Sequence, residues 1–222
     1  AGKDPEKAIP VLEKYFTCAG EERWEKPHIP DLHFNPPERG RIFCEVANSV
    51  QSAVRIGWRG ITRDHPDYQD LQVANVILGG YFGSRLMRKI REEKGYTYGI
   101  SSVAGAMHRV GFITILTEVA NQYREDTIKE IRKEIKLLAD NGPSENEMTI
   151  VRNHIMGEIA MMFDGPFATA EAVRGLIDYD MDPEYYRKFE ETVRTISVPR
   201  IKELISTYYN TEDAVEIIAG AK

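Results

Sequence analysis

Apolar residues recur along this chain at two spacings, and the changes between them mark the predicted elements. Period-two alternation of β-branched and aromatic residues predicts strands at Arg41–Ala47, Val50–Trp58, near Tyr98–Ala104, at Gly111–Val119 and at Ala214–Ile218. The apolar face of the second strand is expected to consist of Val50, Val54, Ile56 and Trp58.

Helical spacing, with apolar residues three and four positions apart, predicts helices in most of the remaining chain. The clearest stripe comprises Ile128, Ile131, Ile135 and Leu138 and ends at the breaker Asn141-Gly142-Pro143. Ser144 and Glu147 then fit a capping box at the start of a long helix. Its apolar stripe contains Met148, Val151, Ile155, Ile159 and Met162, and the face formed by the first four is expected to be packed.

The order of the elements indicates the fold class. Further helices are predicted at Asp67–Leu78, Ser84–Glu93, Phe167–Ile177, Pro183–Thr195 and Pro199–Tyr208. The resulting order, two strands, two helices, two strands, five helices and a last strand, favours an α+β fold. We expect an antiparallel or mixed sheet packed by helices on one side.

Composition excludes several classes of function. A chain of 222 residues with 42% hydrophobic residues is long enough for one sizeable core. Its net charge of −6, without a dense Lys/Arg stripe, argues against a nucleic-acid partner. Cys18 and Cys44 lie far apart and outside any CxxC pattern, which argues against a disulfide framework or a thiolate zinc site. No apolar run approaches the roughly 20 residues that a membrane span needs, and the compartment stays open.

The candidate chemistry lies between Leu78 and Gly99. Arg91 is expected in the last turn of a helix that stops at Gly95, and Tyr98 opens the next strand, so a tight reversal would place guanidinium and phenol on a common edge. Such a pair offers fixed donors and no base, which suits gripping a peptide carbonyl or stabilising an oxyanion. The alternative is an ordinary surface ion pair and a half-buried strand tyrosine.

The glycines upstream of Arg91 carry no phosphate-binding pattern. Gly79, Gly80 and Gly83 lack the GxxxxGK[ST] order of a phosphate loop. We expect them instead to permit a tight turn and a close backbone approach.

This stretch resembles the second, zinc-free domain of pitrilysin/insulinase-type zinc metallopeptidases. The resemblance rests on the helix leading into Gly79-Gly80, on Ser84-Arg85-Leu86, and on Arg91-Glu92-Glu93-Lys94-Gly95 continuing in register to Tyr98. It implies an α+β fold like the metallohydrolase domain of mitochondrial processing peptidase. It also implies that Arg91 and Tyr98, with Gly79, Gly80 and Gly83, bind substrate across a closed chamber.

The resemblance also implies a domain organisation. Residues 1–22 look like the terminal helix of a preceding homologous domain, with a helix predicted from Asp4-Pro5-Glu6 to about Thr17. Residues 23–40 contain Pro27, Pro30, Pro36 and Pro37 and are predicted to form an interdomain linker. Residues 41–222 correspond to the inactive C-terminal domain.

The zinc motif of the catalytic members, H-x-x-E-H, does not occur in this chain. None of the five histidines, His28, His33, His65, His108 and His154, forms it. If the two domains of the family are repeats, the motif positions fall approximately at Leu71, Ala74 and Asn75, a set without the required ligands. His154 and Glu158, four residues apart, make at most half a site. We therefore expect no cofactor in this chain and zinc in a complementary half.

The function that follows is a non-catalytic, substrate-binding half of a zinc-dependent endopeptidase, inactive alone. Its expected partners are a peptide substrate and a zinc-bearing N-terminal domain or partner subunit. A structural or interaction domain of the same fold without a peptidase role is the alternative. An autonomous hydrolase is disfavoured because no Ser/His/Asp, Cys/His or complete metal cluster is evident.

Overall fold

The computed structural model describes residues 4–16 and 39–222. A 3₁₀ turn at Pro5–Lys7 leads into helix α1, Ile9–Phe16. Asp4, at the predicted start of the helix, has a φ of 55° and makes no capping hydrogen bond through its side chain. Thr17, Cys18, His28, His33 and nearly all of the predicted linker lie outside the described residues.

A five-stranded mixed sheet forms the centre of the domain. The strands are β1 Gly40–Glu45, β2 Gln51–Gly60, β3 Thr97–Ala106, β4 Gly111–Ala120 and β5 Val215–Gly220. Their order is β1-β5-β2-β4-β3, with β1 and β5 parallel and the other pairs antiparallel. The last strand is thus inserted between the first two. Together with the helices, this sheet confirms the α+β prediction.

Helices cover one face of the sheet, as their apolar stripes predict. They are α2 Tyr68–Asn75, α3 Arg124–Asn141, α4 Glu145–Met162, α5 Gly165–Asp178, α6 Tyr185–Thr195 and α7 Val198–Tyr208. Two π-helical segments, Val76–Gly80 and Met87–Glu93, occur where ordinary helix was predicted. All four apolar residues of the α3 stripe are buried, and so are Met148, Val151, Ile155 and Ile159 of α4. These stripes join one hydrophobic core: α3 contacts β4 and α7, whereas α4 packs mainly on α5, α6 and the Val76–Gly80 segment.

The prediction that Val50 belongs to the apolar face of β2 is wrong, and the apolar stripe of α4 is buried over only part of its length. Val50 is 82% exposed and precedes β2, because the turn through Asn48, with a φ of 62°, delays strand pairing until Gln51. The buried face of β2 therefore contains Ser52 in place of Val50. Met162 is 42% exposed because it lies at the last turn of α4, beyond the contact with the core.

An ion pair joins the residues just before the second π-helical segment to α4. The predicted capping box is present: the Ser144 hydroxyl accepts from the Glu147 N–H, and Glu147 accepts from the Ser144 N–H. Glu147 also receives Arg85 Nε and Nη2 at 2.8 and 2.9 Å. Arg85 Nη2 donates in addition to the Gly142 carbonyl at 2.9 Å. The start of the second π-helical segment is thereby anchored to the α3–α4 turn.

Candidate functional site

The glycine-rich loop passes close to β3, and one of its glycines is required for that approach. A Cβ on Gly79 would lie 2.7 Å from the Cβ of Ser102 and 2.8 Å from its backbone nitrogen. Gly80 is exposed and less constrained, and a Cβ on Gly83 would meet the ring of Tyr81 at 2.7 Å. The predicted close backbone approach is therefore found at Gly79.

Arg91 lies in the second π-helical segment, which ends where the sequence predicts. Gly95 follows with a φ of +66°, a left-handed conformation that favours glycine. The Arg91 guanidinium is half-buried and lies 4.5 Å from the ring centroid of Phe82, in the glycine-rich loop. This cation–π contact holds the guanidinium beside a ring that is itself 64% exposed.

Tyr98 projects from a β-bulge at the start of β3, an edge strand. Thr97 pairs with Val119 and Ile100 pairs with Thr117, so Tyr98 and Gly99 together oppose Glu118 alone. The Tyr98 side chain is 92% exposed. The irregular strand thus holds this large side chain away from the core.

A cavity of about 540 Å³ lies between the glycine-rich loop and the bulge. Its wall is mainly apolar, with a few polar groups, and consists of Gln51, Arg55, Gly79, Gly80, Tyr81, Phe82, Met87, Thr97, Tyr98, Gly99, Ile100, Ser101, Leu116, Thr117 and Glu118. Arg91 and Gly83 do not line it. Phe82 connects the two predicted residues, because it lines the cavity with Tyr98 and also contacts Arg91.

The cavity wall offers donors and little capacity for proton abstraction. Burial raises the pKa of the Tyr81 phenol, which keeps it protonated. Arg55 donates Nη1 to the carbonyls of Val54 and Thr117 at 3.0 and 3.1 Å and lies 3.7 Å from Glu118. Glu118 is the only carboxylate among the described residues that line the cavity. This set of groups is suited to holding a polar chain beside an apolar wall.

The positions at which a zinc motif would fall are occupied by packing residues. Leu71 and Ala74 are buried in the core. Asn75 donates to the Ser102 carbonyl at 3.0 Å and accepts from the hydroxyls of Ser102 and Tyr209 at 2.7 and 2.8 Å. Within residues 4–16 and 39–222, no cluster of three His, Cys, Asp or Glu side chains is placed to hold a metal ion. His154 Nε2 lies 3.4 Å from Glu158, as an ordinary contact one turn along α4.

Comparison with known proteins identifies the family. The family model described as the peptidase M16 inactive domain matches residues 1–155. The chain belongs to the peptidase M16 family. A zinc protease of Bacillus subtilis (strain 168), YmxG, is 25% identical over 162 residues, which is 73% of this chain and 37% of the relative.

Solved structures agree with that assignment. The M16 inactive domain from Pseudomonas fluorescens has a TM-score of 0.77 and 26% identity, covering 84% of this chain and 44% of that one. A protease from Helicobacter pylori has the same fold, with a TM-score of 0.87, 12% identity and coverage of 98% and 53%. This M16 domain thus spans about half the length of the solved chains and less of the curated relative. In the part of the chain that the structure describes, no helix is long and apolar enough to cross a membrane.

Several residues at the cavity have no signal in the sequence. Arg55 and Thr117 lie on strands far from the glycine-rich stretch and reach the cavity only through sheet pairing. Phe82 stands within the stretch, but nothing in its spacing indicates a contact with Arg91. The one feature that could have identified Phe82 from the sequence is that it is an aromatic residue between the loop glycines.

Proposed function

We propose that this M16 inactive domain binds part of a peptide substrate and completes a chamber whose catalytic zinc is held elsewhere. The observation that carries the proposal is the cavity that Tyr98 and Phe82 both line. The Arg91 guanidinium contacts the Phe82 ring. The site combines an apolar wall with phenol and guanidinium donors, as a peptide with both side chains and carbonyls requires. The chemistry of a peptidase would come from the other half.

The zinc-bearing half is proposed as the direct partner of this domain. Relatives named zinc proteases extend well beyond the length of this chain, which covers 37% of YmxG. We propose that residues 1–22 end a preceding homologous domain, that residues 23–40 form the linker, and that residues 41–222 form the inactive domain. A separate partner subunit carrying the zinc motif would serve the same role.

Arg91 and Tyr98 are proposed to donate hydrogen bonds to the substrate carbonyl that becomes negatively charged during cleavage. Removing one donor directed at transition-state charge costs roughly 10²–10³-fold in rate. Arg91→Ala and Tyr98→Phe should therefore lower peptide turnover by that order when the zinc-bearing half is present. Substitution of the glycines is expected to act differently from loss of a donor. Gly79 has no side chain to offer the substrate and instead shapes the cavity wall.

The experiment compares these variants with matched controls in the assembled enzyme. Arg88→Ala removes a guanidinium from the same π-helical segment, and Tyr123→Phe removes a phenol hydroxyl next to α3. Turnover of a quenched fluorescent peptide and the melting temperature are measured for all four. Slow cleavage by the Arg91 and Tyr98 variants alone, with unchanged melting, supports the proposal. Parental rates in both would replace it with a structural role for the domain.

A further inference from the structure

The β-bulge that presents Tyr98 interrupts the regular residue pairing between β3 and β4. Pairing passes directly from Thr97–Val119 to Ile100–Thr117, so Tyr98 and Gly99 share the single residue Glu118 opposite them. Unpaired backbone groups in a folded domain normally find other partners. Here two threonine hydroxyls supply them, one from each strand.

The hydrogen bonds form one consistent set. The Thr97 hydroxyl accepts from the Gly99 N–H at 3.1 Å and has two acceptors within reach, the Glu118 carbonyl at 2.7 Å and the Gly99 carbonyl at 2.8 Å. The Thr117 hydroxyl, 3.0 Å from that of Thr97, donates to the Gly99 carbonyl at 2.9 Å. Because each hydroxyl has one proton, donation by Thr97 to the Glu118 carbonyl and by Thr117 to the Gly99 carbonyl is the arrangement that gives both carbonyls a donor.

Burial distinguishes the two threonines. Thr117 is 3% exposed and stands in a central pair of strands, whereas Thr97 is half-buried on the edge strand. A buried hydroxyl whose proton is already donated to the backbone has no donor left for a ligand. Thr117 therefore acts on the cavity through the shape of the bulge, although it forms part of the wall.

We infer that Thr117 is a positioning residue: its hydroxyl fixes the bulge at Tyr98-Gly99 and thereby sets where the Tyr98 phenol points. This inference rests on the proposed function, since the position of Tyr98 matters for turnover only if Tyr98 meets the substrate. The bulge lies at the edge of the sheet, because among the described residues β3 pairs with β4 alone. Without the Thr117 hydroxyl, the Gly99 carbonyl loses its bond across the sheet.

The test uses Thr117→Val, which keeps the shape of the side chain and removes the hydroxyl. A displacement of about 1 Å in a positioned group costs up to about 10²-fold in rate, so we expect a 10- to 100-fold loss in kcat with little change in KM. Thr117→Ser, which restores the hydroxyl, should recover most of the rate. Thr114→Val is the control, because it removes a hydroxyl from the same strand on the opposite face of the sheet.

The Tyr98→Phe background separates positioning from a general structural effect. In the enzyme assembled with its zinc-bearing half, Thr117→Val should slow cleavage of a quenched fluorescent peptide when Tyr98 is present. In the Tyr98→Phe background, Thr117→Val should cause almost no further loss of cleavage rate. Amide hydrogen exchange at Gly99 in the chain alone should also accelerate in Thr117→Val and not in Thr114→Val.

The outcomes are distinguishable. If Tyr98→Phe and Arg91→Ala both cleave at the parental rate, the proposed function fails; if only Tyr98→Phe does, the role of Tyr98 is wrong and the positioning inference fails with it. If Tyr98→Phe is slow while Thr117→Val is as fast as the parent, or if Thr117→Val is equally harmful in both backgrounds, the positioning inference alone is wrong. Should Thr117→Val fail to fold, Thr97→Val removes the partner hydroxyl on the edge strand, and the same dependence on Tyr98 is required of it.

Discussion

The ion pair between Arg85 and Glu147 predicts how the domain responds to acid. Burial by itself raises the pKa of the Glu147 carboxyl. Hydrogen bonds from Arg85 and from the Ser144 backbone, with the positive charge of Arg85, outweigh that effect and lower the pKa to about 2, from an ordinary value of 4.5. The folded state therefore favours the ionised carboxylate.

The size of the effect follows from the two values. A tenfold difference in proton affinity corresponds to about 1.4 kcal/mol, so the difference between 4.5 and about 2 sets a ceiling of about 3.4 kcal/mol. The Glu147 side chain is 17% exposed, and solvent screening reduces the stabilisation to about 1.5–2 kcal/mol. Because the folded pKa is the lower one, the stabilisation is complete above pH 4.5 and disappears as the pH falls to about 2.

Urea unfolding between pH 7 and pH 2.5 measures this contribution. Glu147→Gln should lower the free energy of unfolding by about 1.5–2 kcal/mol at pH 7, and the gap to the parent should close towards pH 2.5. Glu145→Gln, an exposed carboxyl in the first turn of the same helix, should change it by less than about 1 kcal/mol. A gap that is absent at pH 7, or unchanged at pH 2.5, would refute the reasoning.

Two further predictions concern packing near the site. Gly79→Ala should lower the free energy of unfolding by about 1–3 kcal/mol, because the added Cβ would overlap Ser102. The control Gly157→Ala, on α4 with open space around it, should be neutral or stabilising by up to about 1 kcal/mol. Equal shifts in melting temperature for the two variants would contradict this prediction. Asn75→Ala should cost about 2–3 kcal/mol by leaving the hydroxyls of Ser102 and Tyr209 without an acceptor. Tyr209→Phe should recover part of that loss in urea unfolding, and strictly additive costs would show that the network is not coupled.

Local pattern alone determined much of this protein. The apolar stripe of α3, the capping box at Ser144 and the stop at Gly95 each depend on residues within a few positions of one another, and all three are present in the structure. The absence of H-x-x-E-H and the run from Gly79 to Tyr98 likewise stand in the sequence itself and indicate the inactive M16 domain. Interactions of short range leave a signature that periodicity and capping rules detect.

Contacts between distant segments were decided only by the tertiary structure. Period-two alternation marks a strand without choosing its neighbour, so β5 could not be placed between β1 and β2 from the pattern. The bulge at Tyr98 depends on register with β4, and the contact of Arg91 with Phe82 depends on how a glycine-rich loop folds back. Thr117 reaches Gly99 because β3 has one more residue than β4 between their paired positions at the bulge. This extra residue can be recognised only when the two strands are paired in the sheet, and neither strand shows it alone.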